Sequence, residues 1–334
     1  MIWLILASGA ASLVVTAILR RYAVARGLLD VPNARSSHSL PTPRGGGMAF
    51  VVTFLLALFG VASGGAVTPC LLIGLLGSGT LVAAIGFLDD HGHIPARWRL
   101  VGHFVAAAWG LTWLGGMPPL TLVGLRLDSI WLSAPLGALY LVWLLNLYNF
   151  MDGIDGIASI QAISVCLGAC LLYSTTDNLQ AIWLPLLLAA TVAGFLFWNF
   201  PPARIFMGDA GSGFLGVVLG LLSLQAAWIN PLLFWGWLIL LGVFVADATF
   251  TLGRRLLRGE RVHEAHRSHA YQYATRHHGS HLLVSLSVAA LNIGWLLPVA
   301  MAVVSGKVEA EVGVFVAYVP LIILAIKYHA GKRE

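Results

Sequence analysis

The stretch "SIWLSAPLGALYLVWLLNLYNFMDGIDG", residues 129–156, joins an apolar run to a group of polar side chains. The run at about 129–148 carries no charged residue and is long enough to cross a bilayer as an α-helix. Four oxygen-bearing side chains then follow at three-residue steps on one helix face: Asn146, Asn149, Asp152 and Asp155. Polar groups on a membrane helix are costly unless they meet a partner. The stretch therefore predicts a membrane helix that ends in a polar site, with a polar seam between helices as the alternative.

The composition of the whole chain agrees with a membrane protein. The 334 residues are 59% hydrophobic and only 10% charged, whereas soluble domains carry about 25% charged residues. Apolar runs fall at about 2–19, 46–64, 70–88, 100–115, 129–148, 157–174, 181–198, 211–228, 231–252, 282–303 and 311–327. Without an internal repeat or linker, the sequence predicts an all-α, polytopic integral membrane protein with about 11 transmembrane helices in a single domain, 1–334.

The basic residues predict the orientation of these helices. The first run is followed, not preceded, by Arg20 and Arg21, unlike a signal peptide, which predicts a retained helix with its N-terminus outside. Alternating helices then place segments 20–45, 89–99, 149–156, 199–210, 253–281 and the C-terminal tail inside. All basic residues except Arg126 and Lys307 fall in these inner segments, as the positive-inside rule requires. The basic pI of about 9.3 thus reflects orientation and an anion site, with no need for nucleic acid as a partner.

Acidic residues from three separated parts of the chain fall at the same predicted surface. They are Asp89, Asp90, Asp152, Asp155 and Asp209. Asp209 alone could be an ordinary helix N-cap, and the Asp89–Asp90 pair a solvated helix end. Together, five carboxylates would repel one another without a counter-charge, and carboxylate oxygens suit Mg²⁺. Asp247 lies inside an apolar run and is a further candidate, unless it pairs with a neighbouring helix.

Basic side chains accompany these acids in the predicted inner segments. They are Arg35, His38 and Arg44 in one loop, Arg97 and Arg99 after the aspartate pair, and His263, His266, Arg267 and His269 in the longest loop. Zinc is disfavoured because no Cys accompanies the histidines. Carboxylates for a metal beside Arg and His for phosphate indicate a phosphoryl-transfer site. Its place at the membrane surface suggests one water-soluble and one lipid substrate.

Five motifs carry a family resemblance. "GFLDDHGHIPARWRL" (86–100), "NLYNFMDGIDGIA" (146–158), "NFPPARIFMGDAGSGFLG" (199–216) and "HRSHAYQ" (266–272) resemble the polyprenyl-phosphate N-acetylhexosamine-1-phosphate transferases. "DVPNARSSHSLPTPRGGG" (30–47) is most similar to the branch that initiates O-antigen synthesis. The resemblance implies transfer from UDP-N-acetylhexosamine to undecaprenyl phosphate with Mg²⁺ or Mn²⁺, release of UMP, and a cytoplasmic active site in the bacterial inner membrane. It leaves a homodimer open, as well as the identity of the sugar.

The same resemblance implies roles for individual residues. The catalytic aspartates are Asp89, Asp90, Asp152 and Asp155, and the metal is held by Asp209 and Asp152. By the resemblance, substrate contacts fall on Asn149, Gly153, Asn199 and Phe206, the last two in a uridine pocket, and on His266 and His269. The other basic residues of the inner segments are predicted to contact substrate from their position: Arg35, His38, Arg44, Arg97, Arg99 and Arg267. Two positions depart from the family: Arg97 and Arg99 stand where relatives often have Lys, and Ser268 replaces the middle histidine of a three-histidine motif.

Two other functions also use acidic residues in a membrane protein. A CDP-alcohol phosphotransferase needs two further aspartates downstream of "DGIDGIA", but the next acid is Asp177 at the opposite predicted surface. A transporter usually holds its acids near the bilayer midplane, whereas all the acids discussed here except Asp247 fall at helix ends.

Overall fold

A computed structural model of the chain describes residues 1–32, 40–92, 94–122, 124–127, 129–260 and 266–333. Within these ranges, the α-helices are α1 Ile2–Arg26, α2 Met48–Ser63, α3 Pro69–His91, α4 Ala96–Leu114, α5 Ile130–Met151, α6 Ile157–Ser174, α7 Trp183–Asn199, α8 Asp209–Ile229, α9 Pro231–Leu240, α10 Gly242–Leu257, α11 Ala270–His278, α12 His281–Leu291, α13 Leu297–Val304 and α14 Ala310–Lys327. Two short antiparallel sheets pair β1 Leu29–Asp30 with β2 Thr42–Pro43, and β3 Leu120–Leu122 with β4 Leu125–Leu127. The predicted all-α class is confirmed.

The chain spans a membrane several times. Among the described residues, eight helices are long and apolar enough to cross a bilayer, or up to nine when the bent pair α9–α10 counts as one span. Helix α2 has only 16 residues. Helix α4 begins with Arg97 and Arg99, which lower its mean hydropathy. The predicted number of eleven spans is therefore not confirmed, although a helix lies in each of the eleven predicted runs.

Two of the predicted runs are not single regular helices. The run 231–252 bends by 69° between α9 and α10, where Gly242 begins the second helix. The run 282–303 contains a π-helical turn, Asn292–Leu296, directly before α13. Pro298 at the start of α13 has no backbone N–H to continue the regular ladder. The Asn292 side chain also donates to Gln161 Oε1 at 2.7 Å, which fixes this turn against α6.

Close contacts of helix backbones bring the polar helix ends together. Helix α8 is the most buried of the candidate spans, since 83% of its 18-residue apolar stretch is buried inside the protein. A Cβ atom at Gly216 of α8 would lie 2.5 Å from the Leu144 carbonyl oxygen of α5. A Cβ atom at Gly86 of α3 would lie 2.4 Å from the Ala210 nitrogen of α8. Small residues permit such approach in membrane helices, and here they place the ends of α3 and α5 beside the start of α8.

An extended arm completes this end of the bundle. Residues 43–47 lie along the segment before α8: the Phe206 N–H donates to the Pro43 carbonyl at 2.8 Å, and the Gly46 N–H donates to the Phe206 carbonyl at 2.9 Å. Gly45 between them has a φ of +87°, which glycine adopts without strain. The arm carries Arg44 to the start of α8.

Candidate active site

A cavity of about 260 Å³ lies where α3 and α5 end and α8 begins. Nine predicted site residues line it: Arg44, Asp90, Asn149, Asp152, Gly153, Asp155, Asn199, Phe206 and Asp209. The other lining residues are Asp30, Ile154, Met207, Gly208, Ser212, Gln272 and His281. Segments that are distant in the sequence therefore meet at one end of the membrane helices, as the sequence predicts.

Asp90 joins the end of α3 to the start of α8. Its Oδ1 accepts a hydrogen bond from the Asp209 N–H at 3.2 Å, and its Oδ2 accepts from the Ala210 N–H at 3.4 Å. A carboxylate at a helix N-terminus satisfies free N–H groups and the helix dipole. Gly208 has a φ of +79°, and a Cβ atom there would lie 2.6 Å from Asp90 Oδ2. Arg44 donates to the Asp90 backbone carbonyl. Asp90 thus fixes the position of Asp209.

Asp89 faces away from this cavity. Together with Arg99 it lines a smaller neighbouring cavity of about 30 Å³, which Asn149 and Asp209 also reach. Arg99 forms an ion pair with Asp89 and approaches Asp209 Oδ2 at 3.3 Å. The Asp89 Oδ1 atom also accepts from the Ile94 N–H at 2.8 Å. Asp89 therefore holds an arginine next to Asp209.

Among the described carboxylates of the site, Asp152 has the fewest hydrogen-bond and ion-pair partners. In the described part of the chain, no side chain donates a hydrogen bond or forms an ion pair with its carboxylate, although it lies at the C-terminal end of α5 inside the cavity. Removal from water raises the pKa of Asp152 well above its usual value, and the charges of Asp209, Asp90 and Asp155 raise it further. A desolvated carboxylate beside other negative charges is stabilised by a nearby cation.

Asp155 has protein partners on both carboxylate oxygens. Its Oδ2 accepts from the Ala203 N–H at 3.0 Å, and its Oδ1 lies 3.2 Å from His281 Nδ1. Nearby, Asn199 accepts from the Gly156 N–H at 3.1 Å and donates to the Ile205 carbonyl at 3.0 Å. These contacts fasten the "DGIDG" turn to the 199–208 segment, so Asp155 acts on the shape of the cavity.

Gly153 is required by a close approach of α11. A Cβ atom at Gly153 would lie 2.1 Å from the Tyr271 hydroxyl oxygen. That hydroxyl donates to the Phe150 carbonyl at 3.0 Å, which caps the last turn of α5. Tyr271 of α11 thus supports the motif without lining the cavity.

The two histidines of the 266–272 motif, His266 and His269, do not line the cavity. His269 is 3% exposed, and its Nδ1 lies 3.3 Å from Asp247 Oδ1. His266 stacks on His269 with ring centroids 4.8 Å apart, and its Nδ1 accepts from the Ser268 N–H at 3.3 Å. Burial, followed by the neighbouring His269 and Arg255, lowers the pKa of His266 to about 3. Neither histidine is among the described residues that line the two cavities.

Two further predicted basic residues, Arg97 and Arg267, are not among the residues that line either cavity. Arg97 is exposed, with its guanidinium carbon 5.8 Å from the Trp98 ring centroid. Arg267 is half-buried, and its carbonyl accepts from Arg276 at 3.1 Å. Arg35, His38 and His263 lie outside the described residues, so their predicted roles stay predictions.

Sequence reasoning missed four polar residues that line the cavity: Asp30, Ser212, Gln272 and His281. His281 is the first residue of α12, and a histidine at the inner end of a predicted span could have indicated it. Asp30 is the first residue of the loop motif 30–47, and its place there is the signal that could have indicated it. Gln272 follows the histidine motif and enters because α11 begins there.

The donor set of the cavity is chemically suited to a hard cation. Within the described residues, no three acidic, histidine or cysteine side chains converge as a preformed metal site. Mg²⁺, however, is usually bound through one or two carboxylates together with substrate phosphates and water. Asp152, unneutralised by any described side chain, and Asp209 at the N-terminus of α8 both face the cavity. Two carboxylates of this kind fit such a site.

Comparisons with known proteins agree with this arrangement. Residues 72–227 match the model of "Glycosyl transferase family 4", a range that contains every predicted catalytic aspartate. A probable undecaprenyl-phosphate N-acetylglucosaminyl 1-phosphate transferase of Bacillus subtilis is 28% identical over 94% of this chain and 87% of its own length. A decaprenyl-phosphate N-acetylglucosaminephosphotransferase of Mycolicibacterium smegmatis is 28% identical over 92% and 85%. A phospho-N-acetylmuramoyl-pentapeptide-transferase of Moorella thermoacetica is 31% identical over 66% and 74%. The chain therefore belongs to glycosyl transferase family 4, among the polyprenyl-phosphate hexosamine-1-phosphate transferases.

Proposed function

We propose that this protein transfers N-acetylhexosamine-1-phosphate from a UDP-sugar to undecaprenyl phosphate, releases UMP and so forms the first lipid-linked intermediate of O-antigen or another surface polysaccharide. The observation that carries the proposal is the meeting of Asp90, Asp152 and Asp209 with Arg44 in one cavity at the end of the membrane helices. The names of the Bacillus subtilis and Mycolicibacterium smegmatis relatives give undecaprenyl phosphate and decaprenyl phosphate as substrates, which supports a lipid acceptor. Family membership also favours this function over a CDP-alcohol phosphotransferase or a transporter.

The reaction forms a bond between an oxygen of the lipid phosphate and the β-phosphorus of the UDP-sugar. The bond from that phosphorus to the bridging oxygen breaks, and this oxygen leaves with UMP. A phosphate monoester has a second pKa near 6 and is mostly dianionic at pH 7. The acceptor therefore needs little help from a general base, and the larger problem is the repulsion between two anions.

The residues of the cavity address this repulsion. Arg44 lines the cavity, and Arg99 lies beside Asp209, so both bring positive charge to the diphosphate. Asp152 and Asp209 would hold Mg²⁺, which when bound neutralises the diphosphate and polarises its β-phosphorus. Asp90 orients Asp209 through the N-terminus of α8. Asp155 and Asn199 shape the wall next to Phe206, where a uracil ring would lie against the aromatic face.

Purified protein in detergent micelles tests this proposal. We expect UMP release when undecaprenyl phosphate is present with one member of a panel of UDP-N-acetylhexosamines, and loss of that release in excess chelator. Asp209→Asn should lower turnover by about 100- to 1,000-fold, whereas Asp177→Asn, an exposed residue at the far end of α6, should be nearly unchanged. Absence of UMP release with every donor would refute the function. Full activity in chelator would refute only the metal.

A further inference from the structure

A second and larger cavity lies outside the candidate active site. This crevice of about 600 Å³ is bounded by α10, α11, α12 and α14, and its lining is predominantly apolar. Leu283 and Trp295 at its edge are 49% and 37% exposed, so the crevice opens to the surface that faces lipid. A Cβ atom at Gly294 in its wall would meet no atom within 4 Å. The volume falls in the range of sites that hold small ligands.

One end of the crevice is polar and surrounded by basic residues. His278 Nε2 lies 3.0 Å from the Tyr328 hydroxyl, and both residues line the crevice. The last turn of α11 carries Arg276, His277 and His278, and the last turn of α14 carries Lys327. The Lys327 Nζ lies 5.7 Å from the Tyr328 ring centroid and is exposed. An anionic headgroup at this end would therefore meet complementary charge.

The polar end is close in sequence to a residue of the candidate active site. Helix α12 begins at His281, which lines the catalytic cavity, only three residues after His278. No described residue lines both the crevice and the catalytic cavity. Tyr271 stands between them, with its ring on the crevice side and its hydroxyl bonded to the Phe150 carbonyl. A lipid whose phosphate lies at His278 is therefore not an acceptor positioned for the transfer reaction.

We propose that this crevice binds one anionic phospholipid, with an acyl chain between α12 and α14 and its phosphate at His278, Lys327 and Tyr328. The apolar lining suits the acyl chain, and basic pockets between membrane helices are a known form of recognition site for anionic headgroups. The bound chain would pack against Tyr271 and Asp247, which hold α11 in place. The proposal does not depend on the transferase activity.

Native mass spectrometry with added lipids tests the site directly. We expect phosphatidylglycerol to be retained at lower concentration than phosphatidylcholine with the same acyl chains. Lys327→Gln should weaken the first phosphatidylglycerol about five-fold, because one basic residue near a lipid surface contributes about that factor. Lys332→Gln removes the same charge from the nearby tail and should have no effect on the first lipid.

A pair of tryptophan variants tests the position of the acyl chain. Ala290 faces the crevice and is exposed, so Ala290→Trp should fill it and abolish selective binding. Ile293 is 61% exposed and is not a lining residue, so Ile293→Trp should bind like the wild type. Gly294→Leu provides the same block if Ala290→Trp does not fold. Equal retention of both phospholipids, or equal behaviour of the two tryptophan variants, would overturn the proposal. Stoichiometric displacement of phosphatidylglycerol by undecaprenyl phosphate would overturn it too, by assigning the crevice to the acceptor.

Discussion

At the scale of single residues, the carboxylates of the site have equal charges but different surroundings. Asp90 binds the backbone of α8, Asp89 holds Arg99, and Asp155 is fastened to Ala203 and His281. Asp152 has no such partner among the described residues. Substitutions of Asp89, Asp90 or Asp155 should therefore change the shape of the site. Substitution of Asp152 should instead remove a negative charge from the cavity.

Asp152→Asn should lower turnover by about 100- to 1,000-fold, because it removes a negative charge that we assign to cation binding. The loss should not change with pH above about 7, since the acceptor phosphate is already dianionic there. Rates of UMP release between pH 6.5 and 9.5 measure this. Partial recovery at high pH would instead identify Asp152 as a general base.

Asp155 should respond to the shape of its replacement more than to the loss of charge. Asp155→Asn keeps an acceptor oxygen for the Ala203 N–H, whereas Asp155→Ala removes that acceptor and the carboxylate oxygen that lies beside His281 Nδ1. We expect Asp155→Ala to lower the free energy of unfolding by about 1–3 kcal/mol, and Asp155→Asn to lower it less. Thermal unfolding in detergent, measured beside turnover, compares them. Equal stability of the two variants would contradict the tethering role.

Gly86→Ala should damage the site although Gly86 bears no functional group. Its Cβ atom would lie 2.4 Å from the Ala210 nitrogen and force α3 away from α8. The expected destabilisation is about 1–3 kcal/mol, with loss of turnover because Asp90 no longer reaches α8. Gly92→Ala is the matched control, since its Cβ atom would lie 3.8 Å from the nearest atom, the Leu88 carbonyl oxygen. A wild-type melting temperature for Gly86→Ala would contradict the close approach.

The cavity residues were predictable where polar motifs stand at the ends of apolar runs. Asp90, Asp152 and Asp209 each occupy such a position, and the alternation of spans brings these ends to one face. The different roles of these three carboxylates were not predictable, because they depend on distances between helices. For His281, the position at the inner end of a predicted span was the available signal, but its contact with Asp155 depends on where α12 packs.

At the scale of secondary-structure elements, a carboxylate of α10 holds the N-terminus of α11. Asp247 of α10 accepts hydrogen bonds from the Ala270 and Tyr271 N–H groups at 2.9 and 3.0 Å and contacts His269. The sequence left open whether this intramembrane acid is functional or pairs with another helix. Its hydrogen bonds show the second arrangement, in which the 69° bend carries α10 and Asp247 to the N-terminus of α11. Neither the bend nor α11 could be read from hydropathy, since the run 231–252 forms one apolar stretch despite Asp247, and α11 is mostly polar.

Asp247→Ala should release α11 from α10. The buried N–H groups of Ala270 and Tyr271 would lose their acceptor, and Tyr271 would no longer be held against the Phe150 carbonyl. We expect faster hydrogen exchange at these two amides and a fall in turnover, with Asp247→Asn intermediate because it keeps one oxygen. Unchanged exchange in Asp247→Ala would show that other contacts hold α11.

At the scale of the whole molecule, the asymmetric placement of basic residues predicts a fixed orientation. A reporter that is active only in the periplasm should be active when fused after residue 176 and inactive after residue 92 or 205. The positions 92 and 205 both border the candidate active site, so the proposed function requires both on the cytoplasmic side, where nucleotide sugars are made. Reporter activity at 205 would place the cavity on the periplasmic side and refute the proposed function.

The contact between Asp90 and α8 also has a consequence for biosynthesis. Asp209 follows Asp90 by 119 residues, and ribosomes add about 5–20 residues per second. About 6–24 s therefore pass between the synthesis of Asp90 at the end of α3 and the synthesis of Asp209 at the start of α8. During this interval the Asp90 carboxylate is stabilised only because it ends its helix at the membrane surface, where water can reach it. The same carboxylate in the middle of α3 would hinder insertion before α8 existed to receive it.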